Sequence, residues 1–492
     1  MIYKILFIFV FTISNTLVAD SFRDNLKRSV VQVKVTYQRN NFLAPWQPKP
    51  PKTIGAIGTV IGKGQIIVLT NYISDYTLIE VKKYSSYSYF KAKPVKIDYE
   101  SNLTLLEVED KDFFNDLKPI DFENISSLNV SATFCQLDNS GVIQAARGQI
   151  LGMDIEPYSM GNTELPQLEI NSNEKLDGSG ELIIHNSKII GIVSEFSGSK
   201  NSGKGIPGLV VRQFLRGKNL AQKTIFPFKG FRFRPIVDNA TREYFGLKKE
   251  KSGVLVAELF PYSGAWNNLK INDVILEFGE FKIDSKGFFE HPFYGKQSLS
   301  FIAHTGEEFG NRLGRSIPVK ILRDKKELIV SLPLKPFPYN SVQIPYSNSQ
   351  GKKPLYTIQN GFIFLELSEF LLQEWGNNWR SRIDKKLLYL YDYHRIHKNE
   401  KSGKIILLTQ VLPDDSNNGY HYTTMKIVVS VNEQKPRDLI SMEKMIQNSE
   451  NNLIKIELEN GVEVVLDKSK LKEANEKIQK KFRLGKLKNF EI

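Results

Sequence analysis

The sequence predicts a mostly β protein carrying α+β modules, and three observations support this. First, between Ser21 and Arg216, β-branched and alternating runs recur with turn residues between them: Val30 to Tyr37, Thr59 to Thr70, Thr77 to Lys82, Lys93 to Ile97, Thr104 to Val108, Val130 to Leu137 and Ile189 to Phe196. That is the pattern of an all-β barrel or sandwich. Second, from Phe226 to Leu334 strand-like runs (Gly253 to Leu259, Asp273 to Phe278, Ile317 to Leu322, Glu327 to Leu332) mix with short helical stretches, an α+β module. Third, a similar element set returns after residue 355: Ser368 to His394 is helix-like, and Ile405 to Val411, Lys426 to Val431, Leu453 to Leu458 and Val462 to Leu466 read as strands.

The joints follow from composition. Pro45, Pro48, Pro50 and Pro51 cannot sit inside a sheet and mark a surface loop before Gly55. Residues 335–355, rich in Pro, Ser and Asn, read as an extended linker, and residues 467–492, with nine Lys/Arg against four acids, as a basic C-terminal segment spaced like a solvated helix. The expected plan is therefore a leader over 1–19, a β domain over 21–216, modules over 226–334 and 356–466 joined by that linker, and the basic segment.

The 492 residues suit about three domains. With 41% hydrophobic residues and 31 Phe, the chain has the apolar material for real cores, which excludes wholesale disorder. The single cysteine, Cys135, can neither close an intrachain disulfide nor build a cysteine zinc site, and its apolar context reads as a buried, inert thiol. Lys4, the apolar run Ile5 to Ile13 and Leu17-Val18-Ala19 read as an export signal, which places the mature protein in a periplasmic, secreted or envelope-associated setting. A formal charge of +13 then attracts anionic envelope or surface partners, and nucleic acid is not expected as a partner in that compartment. No histidine pair stands at metal-binding helical spacing, and neither a metal nor a cofactor is expected. Asp414 to Gly419 lacks the closing glutamate of a calcium loop and reads as a polar turn.

Four strings occur in the order and spacing of the HtrA/Deg serine proteases, and the chain resembles that family: Gly55-Ala56-Ile57-Gly58-Thr59-Val60, Val68-Leu69-Thr70-Asn71, Ser101-Asn102-Leu103-Thr104-Leu105-Leu106 and Asp177-Gly178-Ser179-Gly180-Glu181. The family forms are G-S-G, T-N-x-H, S-D-[IL]-A and G-N-S-G-G. Ser252 to Val256, Ser263-Gly264-Ala265 and Leu269 to Leu276 look like the core of an HtrA-type PDZ domain, and Leu407 to Leu412 with Gly419-Tyr420 and Val431-Asn432 resembles the second PDZ-like module of the two-PDZ Deg subgroup. The resemblance implies a trypsin-like double β-barrel followed by two PDZ-like domains, a serine endopeptidase family, and assembly as homo-oligomers.

The chemistry of hydrolysis is absent from the matching positions. Serine needs a base to take its proton and an acid to orient that base. All six histidines lie at or after His185; the histidine position falls at Tyr72 or Ile73, and the aspartate position at Asn102. The nucleophile position falls at Gly178 without gaps, or at Ser179 with one deletion. The sequence therefore reads as a catalytically degenerate relative. Two alternatives stand beside it: an active endopeptidase rearranged around Ser179, with Lys175 as a dyad partner, and a basic surface adhesin. His185 reads as a turn residue.

What remains is recognition. A PDZ domain adds a peptide as a strand to a sheet edge and holds its terminal carboxylate on a turn of backbone N–H groups. By resemblance Phe228-Lys229-Gly230-Phe231 is that turn, with Gly230 supplying the backbone freedom, the phenylalanines an apolar pocket and Lys229 positive charge. Polypeptide clients or protein C-termini are the implied partners, in a chaperone-like or scaffold role.

Overall fold

The computed structural model describes residues 26–62, 64–84, 86–137, 142–217, 224–304, 312–345, 353–396 and 402–491; the expected leader lies outside them. Six antiparallel strands close a first barrel: β1 (Val30–Tyr37), β2 (Lys52–Ile61), β3 (Gln65–Leu69), β4 (Tyr76–Lys83), β5 (Phe90–Asp98) and β6 (Leu103–Val108), in the order β1-β2-β3-β6-β5-β4. Alternation drives closure. In β1, Val31, Val33 and Val35 point inward and are buried with Ile66, Val68, Ile79 and Val81.

A second barrel follows, from β7 (Val130–Leu137), β8 (Ile143–Pro157), β9 (Glu164–Ser172), β10 (Leu182–His185), β11 (Lys188–Ser197) and β12 (Ser202–Pro207), closed in the order β10-β11-β12-β9-β8-β7. The helix Gly208–Arg216 buries Val210, Val211 and Phe214 in the same cluster as these strands. Cys135 lies in that core, where burial and then the Glu181 charge push its thiol up to about 12, so it stays protonated and unreactive.

The α+β module forms a sheet from β13 (Phe231–Pro235), β14 (Val254–Leu259), β15 (Val274–Phe278), β19 (Ser316–Arg323) and β20 (Lys326–Pro333), in the order β13-β14-β15-β19-β20, with β16 (Phe281–Lys282) paired to β15 and a small hairpin of β17 (Phe288–His291) and β18 (Gly295–Ser298). Strand β13 ends that order, so its outer edge has no strand partner among the described residues. Both barrels and this module make one compact unit.

A second unit comprises residues 38–51, 260–262 and 338–492. Its sheet runs β21 (Tyr356–Gln359), β22 (Phe362–Glu366), β23 (Ile406–Val411), β24 (Lys426–Val431), β25 (Leu453–Leu458) and β26 (Glu463–Asp467) in chain order. Three sequence expectations need correction here. The proline-rich segment 38–51 is not a simple surface loop: Phe42 is buried beside Phe370, and Glu374 accepts both the Phe42 N–H and the Lys49 ammonium. The linker is partly built in, since Val342 bridges Ile396 and Ile344 joins the core. The basic C-terminal segment is integral rather than appended. Helix Lys468–Lys481 buries Ile478, Lys477 and Lys481 pair with Asp414, and Lys488 bridges Thr357 on β21. Charge that the sequence suggests is free is therefore partly neutralised inside the fold. Among the described residues no helix is long and apolar enough to cross a membrane.

Candidate functional site

Of the residues at the positions matching the triad, Tyr72 and the Gly178-Ser179 turn meet between the barrels. The end of β3 turns into the short helix Thr70–Ile73, the turn from β5 to β6 carries Asn102, and the loop from β9 to β10 carries Asp177 to Glu181. The backbone N–H of Ile57 on β2 donates to the Ser179 carbonyl at 2.9 Å, fixing this loop to the first barrel.

Ile73 is fully buried among the apolar side chains of the first barrel. It offers no proton acceptor. Tyr72 does reach across: its hydroxyl donates to the Gly178 carbonyl at 3.3 Å. Burial, followed by the charges of Glu181 and Asp177, pushes the phenol up to about 12, so it remains a donor where a hydrolase needs a base. Asn102, in the left-handed region at φ 55°, accepts the Asn71 N–H through Oδ1 at 2.9 Å and the Thr70 N–H through its carbonyl at 2.9 Å. It braces the backbone of the neighbouring turn, a role an amide fills as well as a carboxylate.

Ser179 is the serine of the loop; it is buried, and its hydroxyl has no hydrogen-bond partner among the described residues. Lys175 is solvent-exposed and makes no hydrogen bond to it, so the dyad alternative finds no geometry here. His185 lies at the β10–β11 turn, where Nδ1 meets the Ser131 carbonyl at 2.8 Å.

The residue that organises the loop is Glu181, which closes the Asp177-Gly178-Ser179-Gly180-Glu181 string. Its carboxylate is buried and turns back onto its own loop. Oε1 accepts N–H groups from Asp177 at 2.7 Å and Gly178 at 3.1 Å; Oε2 accepts from Ser179 at 2.7 Å and Gly180 at 3.1 Å. Gly178 (φ 68°) and Gly180 (φ 114°) supply the left-handed backbone that aims four donors inward. In a trypsin-like site the nucleophile N–H and the N–H two residues before it bind the oxyanion. With Ser179 at the nucleophile position these are the N–H groups of Ser179 and Asp177, the two shortest contacts to Glu181. Burial raises the Glu181 carboxyl above its ordinary range, opposed by the backbone donors.

The second candidate site is the turn Phe228 to Phe231. Gly230 takes φ 81°, and a Cβ there would meet Ser263 Oγ at 2.4 Å, so the turn requires glycine. Phe231 is core, 6.2 Å from the Phe278 ring, and Phe228 stacks on His304 and meets Phe337 edge-on. Lys229 differs from its expected role. Its ammonium is buried against the Glu164 carboxylate and Ser300 Oγ, so its charge is already paired within the chain. Its backbone N–H donates to His304 Nε2 at 3.2 Å, while His304 Nδ1 meets the Glu164 carbonyl. One neutral tautomer satisfies both contacts, and burial together with Lys229 pushes the imidazole down to about 3.

Two closed six-stranded barrels meeting at a serine-bearing turn, followed by PDZ-type sheets, define a protein of trypsin-like protease architecture. A PDZ-domain family model matches residues 344–487. The putative protease Do-like 12, mitochondrial, of Arabidopsis thaliana is 26% identical over 91% of this chain and 83% of its own length. Protease Do-like 4, mitochondrial, of the same plant is 25% identical over 93% of this chain and 84% of its own. Among solved structures, the HtrA-type protease AlgW with decapeptide aligns at 16% identity and TM-score 0.45, covering 63% of this chain and 97% of that one. Over most of its length the chain is thus similar to Do-like (HtrA/Deg) proteases, with a PDZ domain in its C-terminal part.

Proposed function

We propose that this chain is a non-hydrolytic member of its family that binds polypeptides or their C-termini through its PDZ modules, in a chaperone-like or scaffold role. The observation that carries the reading is the Glu181 carboxylate on the four N–H groups of the Asp177–Gly180 turn, where a substrate oxyanion would need them. The tyrosine and isoleucine at the base position add a second obstacle, because neither accepts a proton near neutral pH. The open outer edge of β13 supports peptide binding by strand addition, with Arg232 and Arg234 exposed on that strand. Export, homo-oligomer assembly and attraction to anionic surfaces belong to the same proposal; they rest on the leader-like N-terminal pattern, the family and the charge of +13.

The test is incubation of the purified protein with an unfolded polypeptide and, separately, with a serine-directed phosphonate. No fragments and no labelled serine are expected, together with saturable binding of C-terminal peptides. Fragment formation that stops in Ser179→Ala would overturn the reading.

A further inference from the structure

Glu181 sits in its loop as a ligand sits in a site. Four converging N–H donors lie 2.7 to 3.1 Å from its two oxygens, the range in which backbone donors hold an oxyanion. The donors come from four successive residues, Asp177 to Gly180, so the concavity belongs to the backbone and would persist without the side chain. Its walls are fixed from outside: a Cβ on Gly178 would meet Glu195 backbone at 2.9 Å, and one on Gly180 would meet the Ile57 carbonyl at 2.5 Å. The Tyr72 hydroxyl holds the Gly178 carbonyl from the other side.

We infer that the Asp177–Gly180 turn is a carboxylate-binding site with Glu181 as its tethered occupant, so that the acyl-transfer site of this chain is filled rather than dismantled. The inference rests on the reading just given, that this turn stands where a nucleophile turn would. Peptide-bond cleavage leaves a new C-terminal carboxylate at such a turn, and Glu181 places the same chemical group there permanently. The ligand class of the vacated site is therefore a carboxylate, either a small organic acid or the free C-terminus of a peptide.

The experiment uses the full chain carrying Glu181→Ala. Its melting temperature is followed against sodium formate or acetate at neutral pH, with sodium chloride at matched ionic strength as control. The variant is expected to melt below the unaltered protein and to recover saturably with formate or acetate but not with chloride, while the unaltered protein shows no selective response. A variant that responds to carboxylate and chloride alike overturns the inference, and so does an unaltered protein stabilised to the same extent. Should the variant not fold, hydrogen exchange in the unaltered protein decides: slow amides at 177–180 support the occupied site, and exchange as fast as in the exposed turn 198–201 overturns it. Proteolysis by the unaltered protein would refute the non-hydrolytic reading, whereas loss of carboxylate rescue refutes only the tethered occupant.

Discussion

Asp98, at the end of β5, shows how single buried groups set this protein's response to pH. Its carboxyl accepts the N–H groups of Glu100 and Ser101 and the Thr224 hydroxyl, yet burial, and then the Glu100 charge, pushes it up to about 7 from 3.8. The folded state thus holds this proton more tightly than the unfolded chain. Its contribution to stability is fully present below 3.8 and is lost as pH rises through about 7. His304 acts in the opposite sense. Its folded pKa of about 3 lies below the unfolded 6.5, so its contribution is present above 6.5 and is lost as pH falls toward 3. Asp98→Asn is expected to make the slope of stability against pH more positive between pH 4 and pH 7, as read from urea midpoints across that range; an unchanged slope would refute the assignment.

At the scale of elements, the loop between β9 and β10 depends on its glycines more than on its serine. Gly180→Ala combines a left-handed backbone at φ 114° with a Cβ 2.5 Å from the Ile57 carbonyl. It is expected to cost about 1–3 kcal/mol or more in denaturant unfolding, whereas Ser179→Ala, which removes a hydroxyl with no partner among the described residues, is expected to be near neutral. Equal effects of the two changes would contradict this account. Strands such as β1 and β7 were legible because apolar residues recur along them and one face is buried. Strand β8 was not: Ala146, Ile150 and Met153 are buried at unequal spacing, and a register shift between Ile150 and Gly152 breaks the period of two. In the candidate site, the residue types at the matching positions were legible, because no histidine or aspartate stands at Tyr72, Ile73 or Asn102. The sequence did not reveal that Glu181 folds back on its own loop, since that depends on the φ values of two glycines and on contacts from Ile57 and Tyr72. Lys229 was misread for a similar reason, as its partner Glu164 lies 65 residues away.

For the molecule as a whole, the residues that complete a core need not lie next to it in the chain. The segment 38–51, between β1 and β2 of the first barrel, belongs to the second unit, where Phe42 is 5% exposed and the Glu374 carboxylate holds both its N–H and Lys49. Phe42→Ala is expected to destabilise the unfolding transition of that second unit by about 3 kcal/mol and to leave the transition of the barrels unchanged. Calorimetry that resolves the two transitions would check this, and a shift confined to the barrel transition would refute it.

Segment 38–51 also bears on how the protein can be taken apart. The span recognisable as a PDZ domain, residues 344–487, is shorter than the folded body it belongs to, because Phe42 and Lys49 are encoded some 300 residues upstream. A clone cut at the recognisable borders would yield a domain with a gap in its wall, and the complementary clone would carry a bare hydrophobic hook. Dissection of this chain therefore calls for the hook to be supplied in trans as a peptide, and recovery of a cooperative fold on its addition would measure how much that short segment contributes to the second unit.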